Sequence, residues 1–346
     1  MKRFAVIVLL ALIFVTPAHA SEISPPAPPD EAQIYMPDEP QTFGEGLMYV
    51  LSVAIAKIQP EFVESAGICA SVIGAALMCA LLIQFEGQSK KAVELASIVI
   101  ISILLIRPTH ALIGLGRETI VSLSNYGKLL IPILTAALAS QGAVTTSSAL
   151  YAGTSLFGSV LNSLISNLIV PMLYIYLCMS ITNHAINDQV LKRFRDFVKW
   201  LMTWSLKIVI YIFTGYMTIT GVVSGTADAT AIKATKLAIS SMIPVVGGLL
   251  SDASETILVS TGLIKNSVGV YGLLAIISVV IGPFIKIATQ YLLLKLTVAV
   301  TGVFASKRMN GLLNDISGAM GMVLAMIGVQ SLLLIISTVC FIRGAG

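Results

Sequence analysis

Four ionisable side chains stand in a chain that tolerates few of them. Asp252 and Glu255 are three residues apart, so a helix would carry both carboxylates on one face. Lys286 and Lys295 lie inside the long apolar run Ser267 to Phe304. Ionisable groups at membrane depth are costly and mark pathways, relays or ion pairs. The chemistry open to this set is charge pairing across a helix bundle, with carboxylates of one segment offsetting the desolvation of lysines in another. The competing reading places Asp252 and Glu255 in an aqueous loop and lets both lysines snorkel. Just upstream, Ile243-Pro244-Val245-Val246-Gly247-Gly248 interrupts an apolar stretch. Proline and paired glycines disfavour helix, and broken backbone at membrane depth persists only where protein or water satisfies it. This run is either a re-entrant element lining a path or a tight turn near the surface.

No bond-breaking machinery accompanies these groups. The chain has no HExxH, no Walker A lysine and no GxSxG elbow. His110 and His184 read as loop residues without an identifiable partner, and Gly114-x-Gly116 lacks the context of a dinucleotide site. Cys69, Cys79, Cys178 and Cys340 all sit in apolar runs without metal spacing, as small hydrophobes do. The expectation is no catalytic residue, no metal and no cofactor. An intramembrane enzyme is a functional class with no residue to carry it.

The elements that must position these residues are membrane helices. Of 346 residues, 56% are hydrophobic and 11% charged, with a mean hydropathy of +0.93. A soluble domain carries about 25% charge, so a soluble enzyme, a nucleic-acid binder and a disordered scaffold are all excluded. Residues 1–20 read as a secretory signal: Lys2 and Arg3, the apolar core Phe4 to Val15, and the cleavage pattern Ala18-His19-Ala20. An uncleaved first anchor is the alternative. Residues 21–64 form an acidic, proline-rich arm with eight acids and one base, extracytoplasmic if the signal is cleaved. Within it, Phe43, Leu47, Val50, Leu51, Ala54 and Ile58 are helix-spaced, predicting an interfacial helix that ends near Pro60.

Residues 65–346 form the membrane domain. Ala66–Phe85 is a span, and Ala92–Ile106 is a short one that lengthens if Arg107 snorkels or the helix continues past Pro108. Leu129–Ala139 and Ala238–Leu250 are too short to cross and are expected to re-enter. Ser148–Thr182 and Ser267–Phe304 are long enough to project beyond the bilayer as single helices kinked at Pro171 and Pro283. Trp200–Ser224 spans with Trp200, Trp204, Tyr211 and Tyr216 as interface anchors, and Ser317–Ile342 closes the domain. Small residues at helical spacing, Gly153, Ser166, Gly262, Gly269 and Gly272 among them, predict close packing. Asn162 and Asn167 are candidates for bonds between helices.

The order repeats at an offset of 112 residues, which lays Pro132 on Pro244, Pro171 on Pro283 and Arg195 on Lys307. The copies run from about 88 to 199 and from 200 to 311, with the same orientation. Lys90-Lys91, the basic loop Lys192 to Lys199, and Lys307-Arg308 mark cytoplasmic loops meeting anionic lipid. The fold expected is an all-α polytopic bundle of six to eight spans, with a parallel repeat and two re-entrant segments.

The string Ser224-Gly225-Thr226-Ala227-Asp228-Ala229-Thr230, followed by Ile243-Pro244 to Thr256 and Lys265-Asn266-Ser267-Val268-Gly269, is a long motif. With it the chain resembles the stage III sporulation protein AE family of endospore-forming bacteria, from about Gly46 to Ile342. The resemblance implies a multi-pass protein of the mother-cell membrane around the forespore. It implies partnership with other stage III sporulation membrane proteins and, through their complex, with a forespore membrane partner. The joint channel-like apparatus supports late forespore gene expression. No catalytic residues carry over. Ser224, Gly225, Thr226 and Asp228, with Pro244, Gly247, Gly248, Asp252 and Glu255, are therefore motif or path candidates. Platform, gate or translocation path is the role expected, and a self-contained secondary transporter of a small solute is the alternative.

Overall fold

The computed structural model describes residues 25–37, 42–85, 90–140, 144–219 and 267–343. Among these the chain is all helical. Helix α1 is Asp30–Gln33, α2 Phe43–Ala56, α3 Ile58–Phe85, α4 Lys90–Ser140 and α5 Val144–Leu164. A π-helical turn, Ile165–Ile169, joins α5 to α6, Val170–Ile186. Helices α7, α8 and α9 are Gln189–Ile219, Ser267–Thr301 and Lys307–Arg343. Six of the described helical stretches are long and apolar enough to cross a membrane.

Helix α2 begins where the Thr42 side chain accepts the Glu45 N–H at 3.3 Å, a standard N-cap. Pro60 does not end it. The chain turns at Lys57, and Pro60 falls in the first turn of α3, where its missing N–H costs nothing. Helix α2 buries Phe43, Gly46, Val50 and Ala54 and packs on α8 and α3, so it is part of the bundle.

At α4 one sequence expectation is met and one fails. The Ala92–Ile106 helix continues past Pro108, and Leu129–Ala139 is not a re-entrant element. Both belong to one helix of 51 residues, about 76 Å long. Pro108 and Pro132 lie inside it. Each removes one backbone bond, but the helix keeps a continuous buried face through Leu112, Ile113, Ile120, Leu123, Tyr126, Leu130 and Leu134. The polar residues Arg107, Arg117, Glu118 and Lys128 occupy the outer face of the same helix. The second expected re-entrant segment, Ala238–Leu250, lies outside the described residues.

The two long segments are helices throughout. Pro171 stands one residue beyond the π turn. The turn absorbs the bond and the space that the proline ring denies to the Asn167 carbonyl. Pro283 sits inside an unbroken α8. The basic stretch Lys192–Lys199 is the first part of α7 and not a loop, and His110 and His184 are likewise helical.

Close contacts set the directions. Gly116 faces Val323 and Gly127 faces Leu334, so α4 and α9 run parallel. Gly269 faces Ile342 and Tyr291 faces Gly321, so α8 runs against α9. Thr154 bonds Ser337 and Tyr176 bonds Asp315, so α5 and α6 also run against α9. The starts of α4, α7 and α9 therefore gather at one end of the bundle, with Glu94 against Arg308 at 3.5 Å. That end carries Lys90, Lys91, Lys192, Arg193, Lys307 and Arg308.

The glycine expectation holds where the chain is described. Gly153 admits the Tyr216 ring, and Gly272 lies against Leu130. Tyr216 is thereby turned inward and donates to the Ala149 carbonyl at 2.9 Å, while Trp200, Trp204 and Tyr211 stay exposed. Asn167 bonds Ser163 of its own helical stretch, and not another helix. Gly262 is outside the described residues.

Candidate functional site

Most of the sequence-derived candidates, Ser224 to Asp228 and Pro244 to Glu255, lie outside the described residues. Lys286 and Lys295 are described. Lys286 does meet carboxylates, but those of the N-terminal part. Its Nζ is 3.0 Å from Glu61 and 3.5 Å from Glu64 on α3. Both carboxylates project from the first turns of α3, one turn apart, which is why they share one ammonium. Beside them Tyr35 approaches Gly282, and Lys57 lies over the Tyr35 ring at 4.9 Å. Burial, with the Glu61 carboxylate nearby, pushes the Tyr35 phenol up from its ordinary range. Lys295 is placed differently. It donates to Asn314 Oδ1 at 2.9 Å on the exposed side of α8, beside the Tyr291 ring.

The most densely bonded polar site is one that the sequence reading missed. It is built by the α6–α7 hairpin against α9. Helix α6 ends at Asn187, which takes the left-handed conformation (φ 61°) that asparagine tolerates, and its N–H bonds the Asn183 carbonyl at 2.7 Å. Asp188 then accepts the Val190 N–H at 2.6 Å and starts α7. This two-residue turn folds α7 back along α6 and sets Arg195 beside His184. Ser306 accepts the Met309 N–H at the start of α9, and Asp315 follows two turns later on the face toward the hairpin.

Asp315 is the hub. Its Oδ2 accepts from Ser180 Oγ at 2.6 Å and from Arg195 Nη1 at 2.5 Å, and its Oδ1 accepts from Tyr176 Oη at 3.3 Å. His184 Nε2 lies 2.9 Å from the same Oδ2 and donates to it when it carries the ring proton. The Asp315 side chain is 11% exposed and that of Arg195 is 9% exposed. The other edge of the Arg195 guanidinium donates to Asp196 from Nε at 3.1 Å and from Nη2 at 2.8 Å. Gly311 gives the site its room: a methyl there would stand 2.5 Å from His184 Cε1.

Both oxygens of the carboxylate are bonded, Oδ2 most heavily. The three side chains of α6 (Tyr176, Ser180, His184) are about one turn apart and reach one oxygen pair on α9, and α7 supplies the cation. Chemically the arrangement is a clasp that fixes three helices at the basic end of the bundle. Among the described residues no group of three or more His, Cys, Asp or Glu side chains could hold a metal ion. A signal for the hub did exist in the sequence. Asp315 is the one Asp or Glu after Glu255, in a stretch of 91 residues.

Residues 44–345 match the family model of stage III sporulation protein AE. The chain belongs to that family. The match takes in α2 to α9, the Asp315 clasp and the motif Ser224 to Asp228. A curated relative, the stage III sporulation protein AE of Bacillus subtilis (strain 168), is 24% identical over 249 residues, 72% of this chain. The aligned part spans 62% of that relative's length. No solved structure matches the chain. Membership in the stage III sporulation protein AE family agrees with the resemblance carried by the Ser224–Thr256 string, and it is a statement about the family and not about an activity.

Proposed function

We propose that this protein is an integral component of the channel-like complex joining the mother cell to the forespore, acting as membrane platform, gate or translocation path. The observation that carries this reading is the family match across nearly the whole membrane body. Six membrane-length helices agree with a multi-pass scaffold. The protein sits in the mother-cell membrane around the forespore, with its acidic arm extracytoplasmic after signal cleavage and the basic end of the bundle in the cytoplasm. Its partners are the other stage III sporulation membrane proteins and, through them, a forespore membrane protein. Its role is mechanical and not catalytic.

The internal repeat belongs to this proposal. Support for it comes from two successive pairs, α5–α6 with α7 and α8 with α9. In each, a long proline-bearing helix precedes a second long helix that starts with basic residues. The first members run the same way, as a parallel repeat requires.

Affinity capture of the tagged protein from sporulating cells tests the reading, alongside solute flux in liposomes holding the protein alone. Stable co-purification of other sporulation membrane proteins and no unaided flux are expected. Selective flux by the isolated protein, without partners in the capture, would overturn the proposal. Alanine substitution through Ser224–Asp228 and Pro244–Glu255, scored by sporulation efficiency at constant protein level, tests those candidates.

A further inference from the structure

Glycine contacts hold the α4–α8–α9 interior in fixed register. Gly116–Val323 and Gly127–Leu334 are each 207 residues apart, and Gly269–Ile342 and Gly272–Leu130 set α8 against both partners. Carried along the helices, this register puts Tyr126 of α4 and Ser278 of α8 level with Leu333. That is less than one turn from Gln330 of α9. All three residues are buried: Gln330 is 0% exposed, Ser278 1% and Tyr126 2%. Within the described residues, the Tyr126 hydroxyl, the Ser278 hydroxyl and both polar atoms of the Gln330 amide lack a hydrogen-bond partner. A fourth group joins them. Pro283 has no N–H, so the Val279 carbonyl, next to Ser278, loses its helical donor.

Three helices thus bring unpaired donors and acceptors to one level of the core, where Ser331 is already bonded to the Gly328 carbonyl. Such groups are costly in a dry interior, and native cores satisfy them. The mixture identifies the ligand class. The Gln330 Nε2 only donates, so it opposes a cation, and among the described residues no carboxylate lies at this level to balance one. An apolar ligand would leave every group unpaired. Water both donates and accepts, and buried water characteristically makes about three such bonds. We propose that this layer is a hydration site, where ordered water bridges Tyr126 Oη, Ser278 Oγ, the Val279 carbonyl and the Gln330 amide. It is separate from the Asp315 clasp, which lies about 22 Å away along α9, and it does not depend on the proposed complex. Water there gives α8 exchangeable hydrogen-bond partners beside its proline.

Radiolytic hydroxyl-radical footprinting of the full chain in nanodiscs tests this, because radicals form on bound water beside otherwise buried side chains. Tyr126 should be modified about tenfold faster than Phe213, an equally buried aromatic ring. Thermal unfolding gives the second readout. In a hydrated layer Gln330→Met removes one ligand of the water and leaves Tm unchanged or lower. Adding Tyr126→Phe and Ser278→Ala to it then raises Tm. In a dry layer Gln330→Met alone raises Tm, and Tyr126 is modified no faster than Phe213. Either of these last results would overturn the proposal.

Discussion

Asp315 and Arg195 are 120 residues apart in sequence and 2.5 Å apart in the fold, Oδ2 to Nη1, with both side chains about nine-tenths buried. Taking Asp315 away leaves Arg195 with the half-exposed Asp196 alone, and taking Arg195 away leaves the buried Asp315 carboxylate with Ser180, Tyr176 and His184 only. A fully broken buried pair costs about 3–5 kcal/mol, which is the upper bound here. Asp315→Ala is therefore expected to lower unfolding stability in detergent by up to that amount. Arg195→Met combined with Asp315→Leu should recover most of the loss, since a buried pair replaced by apolar groups is often neutral. A double-mutant cycle measures the coupling, and strictly additive losses would refute it.

Gly311 faces the His184 ring because nothing larger fits. Gly311→Ala should push the imidazole away from Asp315 and destabilise the hairpin by about 1–3 kcal/mol. A conservative change on the same helix with open space around it, Gly328→Ala, should cost nothing or stabilise slightly. Comparing the two melting temperatures separates crowding at His184 from a general effect of altering α9.

The Lys286 pairs are half exposed, so they weigh less than the clasp. Lys286→Ala is expected to cost about 1 kcal/mol or less. Its consequence should be local: loosening of Glu61, Glu64 and the Tyr35 segment from α8. Hydrogen exchange over residues 30–36 and 58–65 should rise, with α9 unchanged. Lys286→Glu with Glu61→Lys should restore protection if the charge pair is the cause.

The gathering of basic residues at one end predicts a labelling pattern. In a background without its native cysteines, cysteines placed at 193 and 307 should react from the same side of the membrane. By the charge rule that side is the cytoplasm. A cysteine at 193 that reacts only from outside would invert the proposed orientation.

The sequence by itself determined that this is an all-helical membrane protein, where most apolar stretches fall, and which family it resembles. Those properties are local. Hydropathy over about 20 residues reports a span, and a contiguous motif reports kinship, without knowledge of any neighbour. Helix continuity at Pro132 was already beyond that reach, because a proline breaks a helix or not according to what packs on its other face. The polar face of α4 is legible only with its neighbours in place: Arg107, Arg117 and Lys128 are outward in relation to helices elsewhere in the chain. Tertiary structure alone decided that Lys286 pairs with Glu61 and Glu64, residues more than 200 positions away. It alone made Asp315 a hub. A lone acid, a serine, a tyrosine and a histidine at ordinary helical spacing carry no signature until the Asn187–Asp188 turn folds α7 back and α9 is laid alongside. The free energy of such a site comes from meetings across space, and those are set by packing, not by the order of residues along the chain.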